Sequence, residues 1–266
     1  MRSSLNEAQR IVVKVGTSTL THESGKLNFL RMDRLALAIS ELMNENREVI
    51  LVSSGAIGVG MGKFNLRRRP VGMGMKQALA AVGQCELMNI YSRLFATYNH
   101  TVGQILLTKT DISDEVKKQN VMNTFKSLLE FGVLPIVNEN DTVSVDEIKS
   151  LMMFGDNDTL SAVVARLISA DLLIILSDID GLYDCNPKEN KGSHLISVVE
   201  EINDTIREYA GGSGTNRGTG GMITKLDAAE IATKAGVNMI IANGEDPMVI
   251  LDILKGKDIG TLFKAK

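Results

Sequence analysis

Apolar residues along this chain fall into short unbroken runs separated by longer stretches with helical spacing. RIVVKV (10–15), EVILVS (48–53), VGQILLT (102–108), VLPIVN (133–138), LLIILS (172–177) and NMIIA (238–242) are rich in β-branched and aliphatic residues and read as strands. Between and after them, residues 29–45, 73–98, 113–130, 157–168, 222–235 and 247–255 carry apolar side chains at the period of a helix. A last apolar piece, GTLF (260–263), reads as an edge strand. Strands that are apolar throughout, rather than alternating, need cover on both faces, and the intervening helices supply it. The expected fold is α/β, with a mostly parallel sheet between two helical layers.

In such a sheet, ligands gather outside the carboxyl ends of the strands. The polar and glycine-rich segments follow the strands here: GTST after the first, SSGAIG after the second, NENDT after 133–137 and SDIDG after 172–176. Gly16–Ser18 and Ser53–Gly58 offer N–H groups and hydroxyls on tight turns, and a helix starting at the second turn would add partial positive charge. Such turns are ordinary in α/β folds. Lys14 tells more, because a lysine inside an apolar strand is costly to desolvate unless it reaches an anion, a cavity or the solvent at the strand's end. Downstream, GTGGMITK (218–225) supplies flexible N–H donors and then Lys225 one helical turn after Gly221. Two lysines on opposite sides of a pocket would neutralise charge on a transferring phosphoryl group.

The stretch NENDTVSVDEIKSLMMFGDNDTL (138–160) repeats N-D-T at Asn140–Thr142 and at Asn157–Thr159, between two apolar strands. Asp156, just before an apolar-periodic helix, is an ordinary N-cap. Capping accounts for one or two of Asn138, Asn140, Asp141, Asp156, Asn157 and Asp158, not for all of them. The surplus suits a ligand with a cationic amine, or the positioning of lysines and Mg²⁺. Leu151–Phe154 (LMMF) reads equally as core packing or as an apolar surface on the loop around Val143–Phe154.

Totals narrow the field without deciding it. With 266 residues, 44% of them hydrophobic and 23% charged, the chain falls in the globular class and can bury one large α/β core. A net charge of −3 argues against a general nucleic-acid surface, and the basic run Arg67–Arg69 reads as a solvated loop. Cys85 and Cys185 lack partners at metal-ligand spacing, so neither a disulfide framework nor a zinc site is expected. No run approaches the roughly 18 apolar residues of a membrane span, and MRSSLNEAQR lacks an apolar signal region, which suggests a cytoplasmic protein. His22, His100 and His194 are scattered, so catalysis is not expected to run through histidine. The glycine-rich 211–221 reads as a linker or, standing before a helix, as a mobile active-site loop. Familiar nucleotide motifs are missing: there is no G-x-x-x-x-G-K-[ST], and GVGMGK (58–63) has Lys63 at the third glycine position of the dinucleotide pattern. The protein-kinase H-R-D and D-F-G pair is absent too.

Taken in order, VVKVGTSTLT (12–21), VSSGAIGVG (52–60), NENDTV (138–143), GDNDTLSA (155–162), SDIDGLYDCNP (177–187) and GTGGMITKLDAA (218–229) resemble the glutamate 5-kinase family of the amino acid kinase superfamily. NEND, then GDND, then GTGGM-x-TK is a specific combination; K-x-G alone would indicate only the superfamily. The resemblance implies a three-layer αβα sandwich around about eight mostly parallel strands, forming a single domain over 1–266. Its part up to about residue 165 would bind glutamate and the rest ATP. It implies phosphoryl transfer from Mg·ATP to the γ-carboxylate of L-glutamate, the first step of proline biosynthesis. By that similarity Lys14 and Lys225 stabilise the transferring group and Asp158 orients them. Ser54, Gly55, Ala56, Asn138, Asp141 and Asn157 hold glutamate, Asp141 through the α-ammonium group. Lys14, Gly16, Ser177, Asp178 and the run Thr219, Gly220, Gly221, Met222, Ile223, Thr224, Lys225 contact ATP, and Mg²⁺ arrives on the nucleotide rather than at a site of its own.

Two departures from the family pattern stand out. Ser177 replaces an expected Thr and keeps the hydroxyl; Ile223 replaces a small hydroxyl residue and takes away a possible phosphate contact. The family's C-terminal PUA-type module has no counterpart before Lys266, so its functions are not carried over. L-Proline as feedback inhibitor and a homo-oligomer are further implications. The alternatives are a sibling kinase for aspartate or N-acetylglutamate, which Asp141 disfavours for the acetylated acid, and a non-catalytic sensor on the same fold.

Overall fold

The computed structural model describes residues 2–22, 25–66, 68–143, 154, 156–187, 189–190, 192–211 and 221–266. Among the described residues eight strands form one sheet: β1 (Arg10–Val15), β2 (Glu48–Ser53), β3 (Val102–Leu107), β4 (Leu134–Glu139), β5 (Leu172–Ser177), β6 (Val198–Val199), β7 (Asn238–Asn243) and β8 (Thr261–Phe263). Their spatial order is β3-β4-β2-β1-β5-β7-β8-β6, and every neighbouring pair is parallel except β7 with β8. The first four strands therefore make one half of the sheet and the last four the other, joined along β1 and β5.

Both faces of the sheet are buried, which is why the strands read as continuous apolar runs. Side chains nevertheless alternate between faces. Ile11, Val13 and Val15 join Leu172, Ile174 and Leu176 in one core, while Val12 joins Leu173 and Ile175 in the other. The first core is covered by α2 (Phe29–Asn44), α4 (Met73–Thr97) and α10 (Val249–Leu254); the second by α6 (Glu115–Glu130), α7 (Asn157–Leu167) and α9 (Met222–Lys234). Lys14 has the parity of Val12, so it points to the face that carries α7 and α9. That parity decides the geometry of the site.

Short elements complete the C-terminal edge. After β1 comes α1 (Thr17–Leu20), and after β2 comes α3 (Ala56–Lys63). Gly55, the N-cap of α3, has φ +106°, a conformation that disfavours any side chain. Helix α3 lies against α4 at backbone distance: a Cβ on Gly83 would stand 1.8 Å from the Ala56 carbonyl oxygen, and one on Gly60 2.1 Å from that of Leu79. Tyr91 of α4 also bonds the Ser53 hydroxyl at 2.8 Å, tying the helix to β2.

Two expectations are corrected. The GTLF strand is not at the edge: β8 sits between β7 and the two-residue β6, which no sequence pattern announced. The helix expected over 113–130 is preceded by a separate turn of helix, α5 (Lys109–Ser113), because Asp114 caps α6 by accepting the N–H groups of Val116 and Lys117, both at 3.0 Å. A further short helix, α8 (Asp204–Tyr209), follows β6.

Candidate active site

A cleft of about 940 Å³ opens at the carboxyl ends of β1, β2, β4 and β5. At its floor one carboxylate holds two lysines. Lys14 Nζ lies 2.5 Å from Asp158 Oδ1, and Lys225 Nζ donates to Asp158 Oδ2 at 3.1 Å. All three groups are buried, with relative exposures of 8%, 4% and 1% for Lys14, Lys225 and Asp158. Burial alone would push the Asp158 carboxyl up, but the pull of Lys14 and Lys225 overrides it and holds the group below its usual range. Local structure fixes each member. Asp156 accepts the Thr159 N–H at 2.8 Å as N-cap of α7, which sets Asp158 in the first turn. Gly221 precedes α9, so Lys225 comes one turn in, and Thr224 Oγ1 bonds the Gly221 carbonyl at 2.8 Å while approaching Asp158 Oδ2 at 3.4 Å.

Beside the triad runs a chain of amides and hydroxyls. Asn157 Nδ2 donates to Ser54 Oγ at 2.7 Å and to Asn138 Oδ1 at 2.9 Å, and Asn138 Nδ2 donates to Gln84 Oε1 of α4 at 3.0 Å. Helix α3 points its N-terminus, at Gly55 and Ala56, into the same cleft. Beyond them Asp141 opens a single 3-10 turn (Asp141–Val143); burial raises its carboxyl while the charge of Arg69 pulls it back. Glu139, the last residue of β4, is 9% exposed and pushed up to about 7, chiefly by burial. This half of the cleft is rich in carboxylates and amides; the floor holds the cations.

Lys14, Gly16, Ser54, Gly55, Ala56, Asn138, Asp141, Asn157, Asp158, Ser177, Asp178 and Lys225 thus share one cavity wall. Met222, Ile223 and Thr224 form the first turn of α9 next to it, and Thr219 and Gly220 lie outside the described residues. Ser177 Oγ donates to Asp178 Oδ1 at 3.1 Å, and these two also border a smaller cavity of about 210 Å³ against Ser18 and Asn243. Among the described residues no group of three or more His, Cys, Asp or Glu side chains is gathered as a metal cage.

Some participants were not foreseen. Glu139 ends a strand that is otherwise apolar up to Asn138, and that oddity was the available signal. Gln84 is buried at 7% on the inner side of α4. Arg69, expected in a solvated loop, is exposed yet lines the mouth of the cleft opposite Asp141, while Arg67 lies outside the described residues. Phe154 of the LMMF run is buried at 6%; residues 151–153 lie outside the described residues, as do 212–220 of the glycine-rich stretch. None of the three histidines lines the cleft, and both cysteines are free thiols. Among the described residues no helix is long and apolar enough to cross a membrane.

Comparison with known proteins places the chain in a family. Residues 9–243 match the amino acid kinase family. The chain is 56% identical to a glutamate 5-kinase of Clostridium perfringens over 266 residues, covering 100% of this chain and 99% of that one. A glutamate 5-kinase of Listeria monocytogenes is 52% identical over 267 residues, with 100% and 96% covered. Among solved structures, carbamate kinase from Giardia lamblia bound to AMP-PNP superposes with a TM-score of 0.68 at 16% identity, covering 98% of this chain and 100% of that one. UMP kinase from Bacillus anthracis gives 0.65 at 16% identity, with 97% and 96% covered. At that identity the structures speak for the fold alone. The chain belongs to the amino acid kinase family and, within it, to the glutamate 5-kinases.

Proposed function

We propose that this cleft transfers the γ-phosphoryl group of Mg·ATP to the γ-carboxylate of L-glutamate, giving L-glutamyl 5-phosphate, the entry to proline biosynthesis. The observation that carries the assignment of residues is Asp158 holding Lys14 and Lys225 together beside the Ser54–Asn157–Asn138 chain. A carboxylate nucleophile is already ionised at neutral pH, so the reaction needs position and charge rather than a general base. The carboxylate oxygen bonds to the γ-phosphorus as its bond to the β,γ-bridging oxygen breaks, and ADP leaves with the electron pair. Lys14 and Lys225 neutralise charge on the group in transit, and Asp158 keeps both ammonium groups aimed at it.

Ser54, Asn138 and Asn157, with the N–H groups at Gly55 and Ala56, hold the acid, and Asp141 takes its α-ammonium group. Gly16, Ser177, Asp178 and the run Thr219–Thr224 hold the nucleotide, which brings Mg²⁺ with it. Residues up to about 165 then serve the acid and later ones the nucleotide, with Lys14 serving both. L-Proline, which offers the same amino-acid group, would compete at the Asp141 end. The exposed apolar side chains Phe64, Val71 and Met75 support a homo-oligomer. The lack of a membrane-crossing helix among the described residues is compatible with a cytoplasmic enzyme.

The test is ADP release from Mg·ATP with L-glutamate, N-acetylglutamate and L-aspartate in parallel, with hydroxylamine present to trap an acyl phosphate. Hydroxamate formed from L-glutamate alone, and lost by a factor of about 10²–10³ or more in Lys225→Ala, is the expected result. Turnover on another of the acids would overturn the role of Asp141. No turnover on any, with ATP still bound, would leave a sensor.

A further inference from the structure

We infer that Glu139 is a positioning residue for the acid-binding half of the cleft: by holding the main chain at Phe154 it sets where Asn157 and Asp158 stand. This rests on the glutamate kinase reading of the site. Every residue of β4 is buried, and the strand ends on a carboxylate. Glu139 Oε1 accepts the Phe154 N–H at 2.9 Å, fifteen residues further along the chain. Phe154 itself packs in the same core as Val137 and Leu160. The chain leaves the cleft wall through Asp141–Val143 and is next described at Phe154, so this bond fastens the return to the strand from which it departed.

The residues just after Phe154 carry the chemistry. Asp156 caps α7, Asn157 reaches Ser54 and Asn138, and Asp158 holds both lysines. A shift at Phe154 is therefore delivered, two to four residues later, to Asp156, Asn157 and Asp158, the groups that cap α7, reach Ser54 and Asn138, and hold the lysines. Misplacement by about 1 Å at such a site is enough to cost about 10²-fold in rate.

A neutral amide would accept the same N–H, so the carboxylate adds something. The groups facing Glu139 are Asp141 from the turn after β4, Asp156 from the start of α7, Lys109 from α5 and the Phe154 N–H. Burial and the two carboxylates oppose its ionisation; the N–H and Lys109 favour it. The balance falls near neutrality, so the bond to Phe154 becomes charge-assisted, and tighter, as pH rises through about 7.

Glu139→Ala and Glu139→Gln test this against wild type, with KM for L-glutamate and for ATP measured from pH 6 to 8.5 and hydrogen exchange followed over 154–160. The alanine variant is expected to raise KM for L-glutamate about tenfold or more, to leave KM for ATP within about twofold, and to lose exchange protection at Phe154. Glutamine, which keeps an oxygen acceptor, is expected to restore protection and to bring KM back within about threefold. KM of the wild type should fall as pH rises through about 7, and that inflection should vanish in Glu139→Gln. Unchanged KM and protection in Glu139→Ala would overturn the inference. So would a glutamine variant that melts like wild type but is as impaired as alanine, or that keeps the inflection. Should the wild type not phosphorylate L-glutamate at all, the functional reading fails, while exchange at Phe154 still decides the positioning role.

Discussion

Asp158 and Glu139 are two buried carboxylates on the walls of one cleft, and their environments drive them in opposite directions. Burial raises both. Asp158 then meets two ammonium groups and stays ionised below its ordinary value. Glu139 accepts the Phe154 N–H and feels the charge of Lys109, with Asp141 and Asp156 repelling it, and rises to about 7. Depth of burial therefore does not predict protonation here; the neighbours do. One carboxylate serves as a fixed anion that organises cations, and the other is pushed up to about 7 by burial and by its acidic neighbours.

The sharpest way to break this contrast is Asp158→Asn, which keeps the shape and removes the anion between Lys14 and Lys225. Stability is expected to fall by about 3–5 kcal/mol in urea unfolding, with activity lost alongside. The sign in pH comes from the lowered carboxyl: Asp158 stabilises the fold above its unfolded value of 3.8, and that contribution disappears as the solution is acidified below it. A variant as stable as wild type at pH 7 would show that the lysines find other partners.

Glu139 should behave in the opposite sense. Its folded value is raised from 4.5 to about 7, so between those limits the native state holds a proton that the unfolded chain has lost, and stability falls as pH rises through the window. Glu139→Gln removes the slope, and at pH 8 it is expected to exceed wild type by roughly 1–3 kcal/mol. Parallel pH profiles for the two proteins would refute this. A smaller effect separates the neighbours: Lys109→Met removes a cation that favours ionisation, and should move the KM inflection for L-glutamate upward by a few tenths of a pH unit. The smallest is a control for charge pairing without burial. Arg207 bridges to Asp227 at 3.3 Å and also to Glu230 on the exposed side of α9. Arg207→Ala is expected to cost less than about 1 kcal/mol and to lose even that effect in high salt.

Much of this arrangement was legible in the chain itself. Strands β1, β2 and β5 begin and end where the apolar runs do, because both faces of those strands are buried and the pattern has no competing explanation. Asp156 declared the start of α7 through capping chemistry, and Lys14 stood out as a charge within an apolar strand. The two-residue β6 was hidden because its pairing with β8 is a tertiary event with no local period. The break between α5 and α6 was masked by helical spacing that continues across Asp114. Glu139 and Arg69 escaped for a related reason: a charged residue at a strand end or in a basic run has an ordinary local explanation, and only its distant neighbours, Phe154 and Asp141, give it another.

The contact at Gly60 and Gly83 has a consequence for how mutations travel. A methyl group has no room between α3 and α4, so a shift of one helix must be taken up by the other, and α3 starts at Ala56 in the cleft wall. Changes along the buried stripe of α4, at Leu79, Gly83 or Leu87, would then surface as altered acid selectivity without touching the substrate. A screen for variants that accept a longer or shorter acid would find its hits there as readily as in the cleft.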